Sequence, residues 1–151
     1  MPAVTIDPSI EACTRLVQRI NSGGAYAMVV HATYMELLID PLEEIEELRI
    51  DVTTVESETL NETLTVEDRT SHQIRVWIRD KVDDFTNATI DPLKLITRQV
   101  FQRVLNYDST DRRVRVWECA NENQEEPIKT TLRNAGLFVA SIVLRVEVEA
   151  A

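Results

Sequence analysis

Glycine is scarce in this chain: three occur in 151 residues, Gly23 and Gly24 side by side and Gly136 alone. Phosphate-cradling loops of the Walker or dinucleotide type need several glycines at fixed spacing, so nucleotide binding through those folds is excluded. Histidine is scarcer still. His31 and His72 have no cysteine or histidine partner at metal-ligand spacing, and both fall in strand-like stretches where packing or hydrogen bonding is the ordinary role. No catalytic residue and no cofactor is expected. The two cysteines, Cys13 and Cys119, lie far apart without a C-x-x-C motif and read as reduced, partly buried thiols. No stretch approaches the roughly 18 uncharged apolar residues of a membrane span. Met1 to Asp7 lacks the basic start and apolar run of a secretory signal, so a soluble chain made inside the cell is expected and the glycosylation-like triplets at Asn61 and Asn87 read as chance.

What the chain does have is acid, and it is local. Between Glu36 and Asp68 stand twelve acidic residues against one base, Arg49, a net charge of −11 in a chain whose total is −10. The remainder is therefore nearly neutral, at +1. Such a balance argues against broad attraction to nucleic acid or to anionic membranes. Within this segment Glu43, Glu44, Glu46 and Glu47 form the densest cluster. A hard divalent cation or a general acid/base pair is one chemistry for such carboxylates, but the Gly and Asn of cation loops are missing, and a solvated acidic face is preferred.

Hydrophobic periodicity organises nearly the whole length, and 44% hydrophobic content is enough for one domain with one core. Asp7-Pro8 starts a helix over about residues 8–21, with Ile10, Cys13, Val17 and Ile20 on one face and Gly23-Gly24 after its end. Strand formers run from Ala25 to Leu37. Asp40-Pro41 then opens a short helical turn or ordered loop bearing the glutamates, and alternation at Leu48, Ile50 and Val52 marks a second strand. Thr53 to Asp68 is polar, acidic and rich in threonine, and reads as a long solvated hairpin, so that an acidic loop and arm spans about 38–70. The return strand begins near Ser71, with Ile74, Val76 and Ile78 facing one way and Arg75, Trp77 and Arg79 the other. A second helix is expected from Asp91-Pro92 to about Asn106. Two strands close the chain, Arg112 to Cys119 and Leu137 to Val148. The last is apolar on both parities in its first half, so it needs cover on both faces.

The Arg75, Trp77, Arg79 and Arg113, Arg115, Trp117 sets suggest a base-stacking platform, but the acidity of the chain favours packing of the tryptophans, under the second helix or at a subunit contact, with arginines reaching outward. Leu137, Val139, Val143, Trp77 and Trp117 are accordingly the candidates for core or subunit packing.

This order of elements resembles the bacteriophage tail terminator proteins and related neck, or tail-completion, proteins of similar size. Leu42 to Val55 (LEEIEELRIDVTTV) is similar to that family's acidic, Leu-rich turn running into a strand, and His72 to Val82 (HQIRVWIRDKV) to its second hairpin strand. Ile90 to Leu105 is similar to the helix after its variable loop, and Gly136 to Val148 (GLFVASIVLRVEV) to its closing strand. Met35 to Asp40 (MELLID) departs from the basic, proline-containing end of the family's first strand. The resemblance implies a single α+β domain, a mainly antiparallel sheet with a long hairpin packed against two helices. It also implies a non-enzymatic virion protein at the tail–neck junction, assembled in the host cytoplasm. Its partners would be itself in a homomeric ring, commonly a hexamer, then the tail tube protein, the neck or head–tail connector protein, and duplex DNA passing through the ring without specific binding. Glu43, Glu44, Glu46 and Glu47 are then candidates to face the channel. The alternatives are another neck or connector ring and, in a different class, a small protein binding a divalent metal or ligand through Glu43–Glu47.

Overall fold

The structure, a computed structural model, describes residues 7–22, 26, 31–34, 47–54, 69–82, 86–121 and 136–149. Its first element, helix α1 (Pro8–Asn21), is capped by Asp7, whose carboxylate accepts from the Ser9 backbone N–H at 2.8 Å and from the Ser9 hydroxyl at 2.6 Å. Proline at the first helical position gives up only a donor that would have no intrahelical partner. Ala12, Cys13, Leu16 and Ile20 make the buried stripe.

The strands are β1 (Ala32–Tyr34), β2 (Arg49–Thr54), β3 (Arg69–Lys81), β4 (Val114–Asn121) and β5 (Leu137–Glu149), with helix α2 (Asn87–Val104) between β3 and β4. They form one sheet in the order β1-β2-β3-β5-β4, antiparallel except for the β1–β2 pair. The fold is thus α+β and mainly antiparallel, as the sequence pattern implies. Its spine is the β3–β5 ladder, in register over 13 pairs from Arg69↔Glu149 to Lys81↔Leu137. Ile74, Val76 and Ile78 of β3 stand opposite Leu144, Ile142 and Ala140 of β5, and all six join the core cluster that also holds the apolar stripes of α1 and α2. Both helices therefore pack on one face of the sheet.

Two boundaries differ from the sequence reading for local reasons. Helix α2 starts at Asn87, not at Asp91-Pro92, so Pro92 lies inside it. Thr86 supplies the turn instead, its carbonyl accepting from the backbone N–H groups of Thr89 and Ile90 at 3.0 Å each. Pro92 removes one hydrogen bond near the helix start, while Ile90, Leu93, Ile96, Val100 and Val104 are buried along one side. In β4, the pairing with β5 shifts between Val116 and Glu118. Trp117 is the extra residue of this bulge, so Cys119, not Glu118, follows Val114 and Val116 in the inward row and stands opposite Leu144.

Gly136 leads into β5 with φ +71°. Its carbonyl accepts from Val82 N–H at 2.9 Å, and a Cβ there would stand 3.2 Å from the Val82 carbonyl oxygen. Left-handed backbone and close approach to a neighbouring chain both select glycine at this one position. No helix among the described residues is long and apolar enough to cross a membrane.

Candidate functional site

The sheet face away from the helices carries the other parity of β2, β3 and β5. At its centre Asp51 of β2 and Arg79 of β3 form an ion pair, with Nη2 to Oδ2 at 2.7 Å and both side chains 1% exposed. Thr33 of β1 donates its hydroxyl to the second carboxylate oxygen of Asp51 at 2.9 Å, and Arg49 lies 3.9 Å from the same oxygen. Three neighbouring strands are thus tied at one carboxylate. Asp51 is one of the twelve acids counted in the 36–68 segment, and here it is buried and paired instead of solvated.

Beside the ion pair, Leu137 and Val139 of β5 are buried (3% and 8% exposed) and form a small cluster of their own with half-buried Trp77 of β3. This cluster is separate from the core under the helices, so α2 is not what covers Trp77. Burial in the isolated chain also means that Leu137 and Val139 pack within the subunit. Val143, half-buried, lies further along β5 opposite Arg75 and Ala120. The bulge leaves Trp117 46% exposed. Each indole already carries a guanidinium of the same chain: Arg75 stands 5.2 Å from the Trp77 ring, and Arg145 stands 5.9 Å from the Trp117 ring. Arg145 also reaches Glu118 at 3.5 Å, and Arg115 reaches Glu147 at 3.3 Å. Arg79, Arg115 and Arg145 of this face are thus each paired with a carboxylate of the same chain, and Arg75 lies against an indole.

Of the channel candidates, Glu43, Glu44 and Glu46 lie outside the described residues, as do the turn near Asp40-Pro41 and the arm over 55–68. Glu47 is described and exposed at the approach to β2. Its charge reaches Asp80 on β3, whose carboxyl is pushed above the usual range first by burial and then by Glu47. No group of three or more His, Cys, Asp or Glu suited to a metal ion occurs among the described residues. His72 is 4% exposed, with Nε2 2.6 Å from the Thr70 hydroxyl, and His31 is exposed. Cys13 and Cys119 are unpaired, and burial pushes each thiol up to about 12.

Sequence reasoning missed the Asp51–Arg79 pair, because a single acid at the polar parity of a strand looks solvated until the second face is known to be covered. It also missed a contact between the ends of the helices. Arg19 of α1 donates Nε–H to the carbonyl of Arg103 at 2.9 Å, and Arg103 of α2 donates Nε–H to the carbonyl of Arg19 at 3.0 Å. A basic residue in the last turn of each helix was the available signal.

Taken together, the described residues define an α+β protein with one helix-covered sheet face and a second face closed by a buried ion pair and a small aromatic–aliphatic cluster. Among known proteins, no family model matches the chain and no curated protein is a significant match.

Proposed function

We propose that the chain is a structural, non-enzymatic virion subunit: a tail terminator that forms a homomeric ring at the head-proximal end of a phage tail, caps the tube and joins it to the neck while DNA passes through. The observation that carries this reading is the order of elements, combined with an acidic 36–68 stretch of sequence that follows β1, includes β2 and ends just before β3. That order is the one on which the resemblance to tail terminators rests. Physical chemistry supports the charge pattern as well. A basic lining would capture phosphates through counterion release, whereas a belt of carboxylates repels the DNA backbone and lets it slide. Ring symmetry multiplies every such carboxylate by the copy number. Trp117, which is exposed, and Val143 and Trp77, which are half-buried, are the packing candidates that remain at least partly available to a neighbour.

Native mass spectrometry and negative-stain imaging of the purified chain test the proposal. A closed oligomer with a central opening, or binding to the ends of tail tubes, is the expected result. A chain that stays monomeric at high concentration and ignores tube ends rules the reading out.

A further inference from the structure

The ends of the two helices hold two cations side by side with no counter-ion among the described residues. Arg19 and Arg103 exchange Nε–H bonds with each other's main chain, and Nη2 of Arg103 donates to the Ser22 hydroxyl at 3.0 Å. The Arg19 guanidinium stacks 5.3 Å from the Tyr107 ring. Among the described residues no carboxylate lies within ion-pair distance of either arginine, although Arg15 and Arg113 nearby are paired with Asp111 and Glu11. A guanidinium has five N–H donors. Among the described residues both Nη groups of Arg19 and Nη1 of Arg103 have no protein acceptor, and both side chains are half-buried, not sealed in the core.

The helix carbonyls explain why the arginines sit here, since cations favour the negative end of a helix. They do not explain why two guanidiniums are held together with their outer donors unused in a chain of net charge −10. An oxyanion at this point would relieve the repulsion between them and accept the forked donors. Elsewhere on the helical layer Lys94 and Arg98 are exposed on α2, also without an acid partner among the described residues.

We infer that Arg19 and Arg103 form a carboxylate clamp for the acidic segment of a second copy of this chain. The occupant is the stretch over 55–68, which carries Glu56, Glu58, Glu62, Glu67 and Asp68 and no base. Charge complementarity selects it: the positive clamp and the negative segment belong to the same sequence, and a contact between two different surfaces of identical subunits is the heterologous kind that closes rings. This contact rests on the ring reading for its role, but its chemistry is tested independently. Phosphates of duplex DNA are the competing oxyanion, disfavoured because the surrounding chain is acidic.

A fluorescein-labelled peptide of residues 55–68 is titrated with the full-length chain, and its anisotropy is followed beside that of a labelled 20-base-pair duplex. Binding of the peptide that weakens by about tenfold or more in Arg19→Gln/Arg103→Gln, and fades as salt rises, is expected. In native mass spectra the same variant and Glu56→Lys/Glu58→Lys/Glu62→Lys, which leaves both helices untouched, should each lose self-association. Mixing the lysine variant with Arg19→Glu/Arg103→Glu should restore it. If the wild-type chain does not self-associate at all, the ring reading fails while the peptide titration still decides the clamp. Rings that form normally in both variants overturn the clamp and leave the ring reading standing. Peptide binding that is absent or indifferent to the arginines overturns it, as does arginine-dependent binding of the duplex alone.

Discussion

Removing the carboxylate of Asp51 is the perturbation that most directly tests how the second face is built. In Asp51→Ala the Arg79 guanidinium loses the oxygen it meets at 2.7 Å, and at 1% exposure water does not replace it. Breaking one half of a buried ion pair costs about 3–5 kcal/mol, because a charge is left in a low-dielectric site. The Thr33 hydroxyl loses its acceptor too, a hydrogen bond to a charged group worth about 1.5–3 kcal/mol, part of which is already inside the first figure. Against a total stability of roughly 5–15 kcal/mol, the single variant should be close to unfolding at physiological temperature. The double variant Asp51→Val/Arg79→Met replaces the pair by apolar groups, and such replacements are near neutral or stabilising. Urea unfolding followed by tryptophan fluorescence suits the measurement, since Trp77 stands directly opposite Asp51 in the β2–β3 register. The expected pattern is strong non-additivity, with the double variant more stable than either single one. Single variants that lose less than about 1 kcal/mol, or a double loss equal to the sum of the singles, would refute the reasoning.

Further outcomes follow from the same geometry. Val139→Lys places an ammonium in the buried Leu137–Trp77 cluster and should cost several kcal/mol, roughly 3 or more, in urea unfolding; unchanged stability would show that this face is wet. Gly136→Ala should cost about 1 kcal/mol or more, read as a lower thermal midpoint, because the left-handed φ and the Val82 carbonyl both resist a Cβ. Asp111 is held down to about 2 by hydrogen bonds from the Ser109 hydroxyl and the Arg113 backbone N–H and by Arg15. Its contribution to stability is therefore complete above its ordinary pKa of 3.8 and is lost as pH falls through about 2; an NMR titration of its carboxyl that gives an ordinary value would contradict this. A thiol reagent at pH 8 should leave Cys13 and Cys119 largely unmodified in the native chain and modify both in urea, since burial holds each near 12. If Glu43, Glu44, Glu46 and Glu47 line the channel, changing all four to Lys should permit tail assembly and head joining but stall DNA passage, whereas a docking role predicts failure at joining; normal infection would sink both.

Much of the fold was legible because one face of the sheet is buried under helices, and a half-buried strand writes its register into period-two alternation. Ile74, Val76 and Ile78 read as one inward row and are fully buried. The closing strand announced its two-sided cover through Leu137, Val139 and Ser141 on one parity and Phe138, Ala140 and Ile142 on the other, and all six are buried. Asp7-Pro8 read correctly as a cap, yet the same dipeptide at Asp91-Pro92 misled. Local propensity ranks a proline as a start, while the buried stripe that α2 lays on the core begins at Ile90 and carries the helix past it. The bulge at Trp117 was invisible because a single extra residue changes no composition and only shifts the parity after it.

The site was less legible because its central elements are pairings between residues far apart in sequence. Asp51 and Arg79 are 28 residues apart, and Arg19 and Arg103 are 84 apart, so no local pattern links either pair. Charge counts alone also obscure the distinction that matters. Asp51 sits in the acidic segment but is neutralised within its own sheet, whereas Arg19 and Arg103 sit in the nearly neutral remainder and meet no acid among the described residues. An ion pair already formed within the subunit offers a neighbour nothing beyond shape, since a partner charge would have to displace a bond of equal strength. Charges left unpaired and accessible are where electrostatics can select a partner. By that criterion the second sheet face, with Arg145 on Glu118 and Arg115 on Glu147, is an internally settled surface. On the proposed clamp, recognition by charge would fall at the helix ends, and a ring interface built there should weaken with salt far more than one built on Trp117 and Val143.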